Sequence, residues 1–198
     1  KIGEGGMGAV FEGLHLAIGR TVAIKVLHAE YAARQEVVGR FFNEARAANL
    51  IDHPCVVQIA DFGHTQEGTA YIVMEFLRGE TLTKRIQRGS LSCMDVVNLT
   101  RSIASVLVAA HDKHIVHRDL KPDNVMLVPD PERPGAERLK LLDFGIAKLM
   151  EGEQAGAVKT RTNMMMGTPS YMSPEQCRGA GGVDERTDVY ALGCVLFE

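Results

Sequence analysis

The string His117-Arg118-Asp119-Leu120-Lys121-Pro122-Asp123-Asn124 constrains this chain more than any other feature. Its charges stand between two apolar runs, Ile115-Val116 and Val125-Met126-Leu127. A solvated charged turn is the bland alternative, but charges set between apolar runs argue against it. Asp119 can accept a proton from an attacking hydroxyl, Lys121 can neutralise a transferring phosphoryl group, and Asn124 is spaced to bind a metal. Phosphoryl transfer needs little covalent help, so positioning and charge compensation suffice.

Three further strings bear on the same chemistry. Gly3-Glu4-Gly5-Gly6-Met7-Gly8-Ala9-Val10 fits G-x-G-x-x-G-x-V, and glycines let backbone N–H groups approach phosphates. A plain glycine turn between strands is the alternative. A dinucleotide fold would need a helix straight after the third glycine, whereas Val10-Phe11-Glu12-Gly13 continues as strand. Val22-Ala23-Ile24-Lys25 places a lysine in a hydrophobic strand, which is costly unless its ammonium meets an anion. Phosphates and the carboxylate of Glu44 would supply one; a lysine snorkelling to solvent is the alternative. Asp143-Phe144-Gly145 follows the strand-like Leu139-Lys140-Leu141-Leu142, so a carboxylate stands at a strand end, placed to hold Mg²⁺.

The pattern between these strings predicts an α+β chain. Residues 1–28 read as strand, glycine turn, strand, loop and strand. Residues 36–50 carry a helical spacing with Glu44 in it, and strand-like runs follow at 55–62 and 70–77. Gly79 breaks the pattern, dividing a small β-rich lobe (1–78) from a helical lobe (79–198). Ser92 is placed to cap a helix over 93–113 whose apolar face holds Val96, Val97, Leu99, Ile103, Val106, Leu107 and Ala110. Strands at 125–128 and 139–142 flank a proline-rich loop, and residues 148–172 read as a mobile loop.

With these strings in order, the sequence resembles the protein kinase superfamily, and most of all the eukaryotic-like Ser/Thr kinases of bacteria. Gly3–Gly8, Tyr71-Ile72-Val73-Met74-Glu75-Phe76-Leu77 and Gly167-Thr168-Pro169-Ser170-Tyr171-Met172-Ser173-Pro174-Glu175-Gln176 carry the closer likeness. The resemblance implies a two-lobed kinase fold with ATP in the cleft and protein Ser or Thr hydroxyls as acceptors. By that likeness Lys25 pairs with Glu44, Asp119 is the base, Lys121 meets the γ-phosphate, and Asn124 and Asp143 hold Mg²⁺. Ile2, Gly3, Gly5, Gly8, Val10, Ala23 and Met126 would surround the nucleotide. Met74 would be the gatekeeper, and Glu75 to Leu77 the hinge whose backbone bonds the adenine. Arg118 resembles the arginine that receives an activation-loop phosphate; Thr160 and Thr162 sit where such kinases autophosphorylate, and Thr168 resembles the threonine that contacts the catalytic aspartate. Ordinary loop composition is the alternative for Thr160 and Thr162. A second copy of the chain is then a partner, for trans-autophosphorylation.

Two rivals remain at this level. A pseudokinase would usually lack Lys25, Asp119 or Asp143, and all three are present. A small-molecule kinase fits less well with His117–Asn124 and the threonine-bearing Gly167–Glu175 segment. Net charge is −3, from 22 basic and 25 acidic residues, which points to no nucleic-acid partner. Cys55, Cys93, Cys177 and Cys194 form no C-x-x-C pair and read as reduced thiols in a cytoplasmic protein. No apolar run reads as a membrane span, although relatives of this resemblance often carry one elsewhere. Both ends read as cut. The resemblance implies later helices beyond Glu198 and, among them, an arginine partner for Glu175. Without them Glu175 is expected buried and unpaired, at a cost of several kcal/mol, with apolar surface left open.

Overall fold

The computed structural model describes residues 1–89, 91–144, 169–179 and 183–198. Five antiparallel strands form the first sheet: β1 (Gly3–Glu4), β2 (Gly8–His15), β3 (Arg20–Leu27), β4 (Ile59–His64) and β5 (Ala70–Glu75), in the order β1-β2-β3-β5-β4. Helix α1 (Gln35–Leu50) packs on this sheet. The sheet's β-branched runs and the 3.6-residue spacing of α1 meet in a core of Leu27, Phe41, Phe42, Ala45, Ala70 and Ile72. Phe41 is fully buried there; truncating such a phenylalanine to alanine costs about 3–5 kcal/mol.

The second sheet holds β6 (Glu80–Thr81), β7 (Val125–Pro129) and β8 (Glu137–Leu141), with β7 in the middle. Around it lie α2 (Leu82–Gln87), α3 (Cys93–His111), α4 (Pro174–Cys177) and α5 (Arg186–Phe197). Gly79 leads into β6 because only glycine fits: a Cβ there would stand 1.9 Å from the Leu127 carbonyl oxygen. The larger core joins Ile103, Val106, Leu107 and Ala110 of α3 to Val125, Leu127, Leu139 and Leu141 of the sheet.

Ser92 caps α3 with a reciprocal pair of bonds to Asp95, its hydroxyl accepting from Asp95 N–H while the Asp95 carboxylate accepts from Ser92 N–H. Two expectations for this helix change. Val97 is half exposed rather than part of the packed face. The 19 residues of α3, with mean hydropathy 1.4, are long and apolar enough to cross a membrane by length and composition, contrary to the sequence reading; Ile103, Val106, Leu107 and Ala110 on this helix are core residues.

The run read as a strand at 55–62 is split. Only Ile59–His64 joins the first sheet, while Val56 bridges Leu141 in parallel, Val57 N–H donates to Leu141 O, and Leu141 N–H donates to Cys55 O. Residues 55–58 thus stitch the segment after α1 to β8. Helix α1 itself faces both cores: Phe41, Phe42 and Ala45 belong to the first, Ala47 and Ala48 to the second. Glu44 therefore projects near the seam between them.

Candidate active site

A cleft of about 320 Å³ opens between the two sheets, within the range of small-molecule sites. Ile2 just before β1, Val10 of β2, Ala23 of β3, Met74, Glu75, Phe76 and Leu77 at the end of β5, and Met126 of β7 line it, with Lys25, Glu44 and Asp143. Sequence reasoning missed Val57, Leu142, Thr81 and Lys84 on the same wall. Thr81 and Lys84 lie at the entry of α2, where Thr81 Oγ1 caps the helix by accepting from Lys84 N–H; that threonine followed by a short polar helix was the signal available.

The glycine turn of residues 3–8 is closed by Gly5 N–H donating to Gly8 O at 2.8 Å. A Cβ at Gly8 would meet Val26 O at 2.3 Å, so the sheet itself demands glycine there. At Gly5 a Cβ would have 4.0 Å to its nearest neighbour, so the protein's own packing gives no reason for glycine there. His28, just past β3, holds the turn by a backbone bond to Met7 O and a ring N–H donated to Gly5 O.

On β3, Lys25 Nζ sits 2.8 Å from Asp143 Oδ1 and 3.6 Å from Glu44 Oε2. Burial pulls the ammonium down, but the two carboxylates outweigh it and hold the Lys25 pKa above its ordinary value. Lys25 is therefore a fixed cation on the cleft wall rather than a snorkelling surface lysine. Asp143 has φ +36°, a left-handed conformation that aspartate tolerates better than most residues. Its carboxylate is half exposed, while the next residue, Phe144, is buried against the His117 ring at 4.7 Å between centroids.

The turn 117–124 precedes β7 and is joined to the strand end that carries Asp143. Lys121 Nζ lies 3.2 Å from Asp119 Oδ2, and Asn124 Nδ2 donates to both Asp119 O and Asp119 Oδ2. Leu142 N–H donates to Asn124 O at 2.8 Å, which sets Asn124 beside the strand end carrying Asp143. Asp188 of α5, fully buried, holds this turn from beneath: its carboxylate accepts from His117 N–H and Arg118 N–H, both at 2.8 Å, and from His111 Nε2 at 2.8 Å. These bonds support Arg118 at φ +64°. His117 Nε2–H donates to Leu142 O and its Nδ1 accepts from Asp119 N–H, so the ring is neutral, and burial pushes its pKa down.

Arg118 is half-buried and its guanidinium donates to Val183 O at 3.4 Å. Thr160, Thr162 and Thr168 lie outside the described residues, as does Gly145. Glu175 departs from expectation: it is half-buried and accepts from Thr187 Oγ1 at 3.0 Å, with its pKa held low by local backbone and hydroxyl bonds. A hydroxyl from α5 meets the carboxylate, so the expected lone buried charge does not arise. Apolar surface is open at the end of α5, where Phe197 is almost wholly exposed.

The donors present suit Mg²⁺. Asn124 commits its amide nitrogen to Asp119, which leaves Oδ1 as an oxygen ligand, and Asp143 presents a half-exposed carboxylate nearby. Mg²⁺ takes one or two protein oxygens and completes its shell with water and phosphate. Among the described residues no group of three or more His, Cys, Asp and Glu side chains gathers to cage a metal, and this open pair needs none.

A two-lobed fold, a cleft between sheets and an ordered lysine, aspartate and asparagine set are the arrangement of a protein kinase domain. The chain matches the protein kinase domain family over residues 1–198 and belongs to it. It is 46% identical over its whole length to serine/threonine-protein kinase Pkn1 of Myxococcus xanthus, covering 27% of that protein. It is 40% identical, again over its whole length, to serine/threonine-protein kinase PrkC of Bacillus subtilis, covering 29%. The chain thus spans less than a third of either relative. Its structure is similar to the crystallised PknI kinase domain of Mycobacterium tuberculosis, with TM-score 0.73 and 30% identity over 98% of this chain and 69% of that one. Members of this family in general use ATP and Mg²⁺ and act on proteins.

Proposed function

We propose that the protein transfers the γ-phosphoryl group of ATP to Ser or Thr hydroxyls of protein substrates. The observation that carries this is Lys25 fixed between Glu44 and Asp143 in the cleft, with the Asp119–Lys121–Asn124 set tied to the same strand end by the Leu142 N–H bond to Asn124 O. The names of the relatives favour Ser/Thr over Tyr as acceptor, and Lys121 within His117–Asn124 is the matching sequence feature.

Each residue then has a defined task. The apolar walls around Val10, Ala23 and Met126 take the adenine, and the backbone of Glu75–Leu77 offers it hydrogen bonds. N–H groups of the 3–8 turn and the Lys25 ammonium hold the phosphates. Asn124 Oδ1 and the Asp143 carboxylate would hold Mg²⁺, which supplies charge neutralisation for the phosphate oxygens when bound. The acceptor hydroxyl oxygen bonds to the γ-phosphorus as the bond to the β–γ bridging oxygen breaks. Asp119 takes the hydroxyl proton, and ADP leaves. Lys121, within 3.2 Å of Asp119, balances charge on the transferring group. Arg118 and its half-buried guanidinium support a regulatory reading in which Thr160 and Thr162 are autophosphorylated, in trans by a second copy, and the phosphate pairs with Arg118.

The test is phosphate transfer from γ-labelled ATP to a basic protein acceptor, followed by phosphoamino-acid analysis. Phosphoserine and phosphothreonine are expected. Predominant phosphotyrosine, or no transfer alongside intact ADP binding, overturns the proposal, the second outcome favouring a binding module.

A further inference from the structure

Lys140 is an interior lysine with no part in the chemistry above. It lies on β8, three residues before Asp143, and is 7% exposed. Its Nζ donates to Glu75 Oε1 at 2.6 Å and to Val56 O at 3.1 Å. Glu75 Oε1 also accepts from Gln58 N–H at 2.8 Å, and Glu75 N–H donates to Gln58 O at 3.0 Å. One ion pair therefore ties together three segments: the end of β5, residues 56–58, and β8.

These are the segments that set the two ends of the nucleotide cleft. Glu75 opens the Glu75–Leu77 stretch along the cleft. Lys140 is paired across the sheet with Met126 on the cleft floor, and its strand runs on through Leu142 to Asp143. A shift of β5's end against β8 would change the span from the adenine seat to the Asp143 carboxylate. Stability alone does not explain the pair, because a buried ion pair is often no more stabilising than apolar residues of the same volume. What it adds is direction: Glu75 Oε1 is fixed by two donors, and Lys140 by two acceptors.

We infer that Lys140 and Glu75 form a clasp that positions the Glu75–Leu77 backbone against β8 and so sets nucleotide affinity, with Lys140 a positioning residue that touches no reactant. The inference rests on the reading of the cleft as an ATP site. Breaking the clasp weakens nucleotide binding while leaving the Asp119–Lys121–Asn124 geometry in place. Its signature is thus a rise in KM for ATP with kcat held.

The experiment compares the wild-type protein, K140M and the double variant E75Q/K140M. Three quantities are read: ADP affinity by calorimetry, KM and kcat for ATP, and thermal midpoint. K140M keeps the side-chain volume but leaves the Glu75 carboxylate without its ammonium, so its midpoint falls. In the double variant no lone charge remains, and glutamine still accepts from Gln58 N–H, so the midpoint recovers towards wild type. The expected result is KM and the ADP dissociation constant raised about five- to tenfold in both variants, with kcat in K140M within about twofold of wild type. A KM that returns to wild type together with the midpoint makes the pair merely structural and overturns the inference. So does unchanged KM in K140M, or a kcat that falls or rises while KM stays. If K140M does not fold, the double variant decides alone. Failure of the wild-type protein itself to bind ADP removes the ATP reading and the clasp with it, whereas wild-type affinity in both variants removes the clasp only.

Discussion

Replacing Asp188 by asparagine isolates the support beneath the 117–124 turn. The carboxylate is fully buried and receives three donors: Arg118 N–H on one oxygen, and His117 N–H and His111 Nε2 on the other. Asparagine has the same shape but one acceptor and one donor. If its oxygen faces His117 and His111, its NH₂ faces Arg118 N–H; if flipped, His117 N–H is the one left over. Either way at least one buried backbone donor is orphaned, at about 1–3 kcal/mol. The surviving bonds lose charge assistance, about 1 kcal/mol each, while removing a buried charge returns part of its desolvation cost. The net loss is about 2–4 kcal/mol, a large fraction of the about 5–15 kcal/mol that holds a domain folded. It should lower the thermal midpoint by about 10 °C. Arg118 at φ +64° then loses what holds it, and Asp119 shifts with it, so kcat should fall by about 100-fold or more with KM for ATP little changed. Calorimetric melting and steady-state kinetics on the same preparations test this. A midpoint within about 2 °C of wild type would refute the orphaned-donor reasoning, and unchanged kcat would refute the link from α5 to the 117–124 turn.

Lys25→Met removes the cation between Glu44 and Asp143 and should cut phosphate transfer by orders of magnitude while the circular dichroism spectrum stays native; unaltered turnover refutes the role of Lys25. Asp119→Asn should abolish transfer yet keep ADP affinity within a few-fold, measured by calorimetry; an equal loss of both would make Asp119 a binding residue instead. His117 has a pKa held below the ordinary 6.5 by burial, so the unfolded chain takes up a proton that the folded one refuses. Stability should be full above pH 6.5 and fall as pH drops below it, with His53, similarly depressed by burial, adding to the slope; a flat denaturation midpoint down to about pH 5 would contradict this. The double variant T160A/T162A should match phosphatase-treated protein in activity, as checked by mass spectrometry and kinetics, and full activity in it would remove the activation switch.

The legible parts of this fold were those whose signal is local. The β-branched runs of β3 and β5, the helical spacing around Glu44 and the Ser92 cap of α3 each declare themselves within one element. The strings around Lys25, Asp119, Asn124 and Asp143 stand out by residue type, order and bracketing apolar runs, and the structure brings Lys25 against Glu44 and Asp143 and Asp119 against Lys121 and Asn124. What failed depended on neighbours distant in sequence. Val97 shares the helical spacing of Val96 and Leu99, yet it is half exposed, since periodicity shows a face but not the width that a partner covers. Residues 55–58 are apolar enough for a strand of the first sheet, but Cys55 and Val57 find their backbone partner in Leu141, over eighty positions on. Glu175 was expected buried and unpaired because the resemblance put its arginine partner beyond Glu198, and the structure leaves it half-buried with a hydroxyl from Thr187.

Lys140 marks the limit of the sequence reading most sharply. In Leu139-Lys140-Leu141-Leu142 the alternation reads as a strand with one polar face, and a lysine on such a face is ordinarily exposed. Lys25 sits in an equally apolar strand and was singled out because a carboxylate on the next helix and a glycine turn gave it an evident use. Lys140 had no such neighbours in sequence. Its partners, Val56 O and Glu75, become visible only once residues 55–58 run alongside β8 and close against the end of β5. The same folding event that hides the lysine therefore creates its acceptors. A buried charge of this kind is readable only after topology has brought both partners together, which is why the strings around Lys25 and Asp119 stood out in the sequence while the Lys140–Glu75 pair did not.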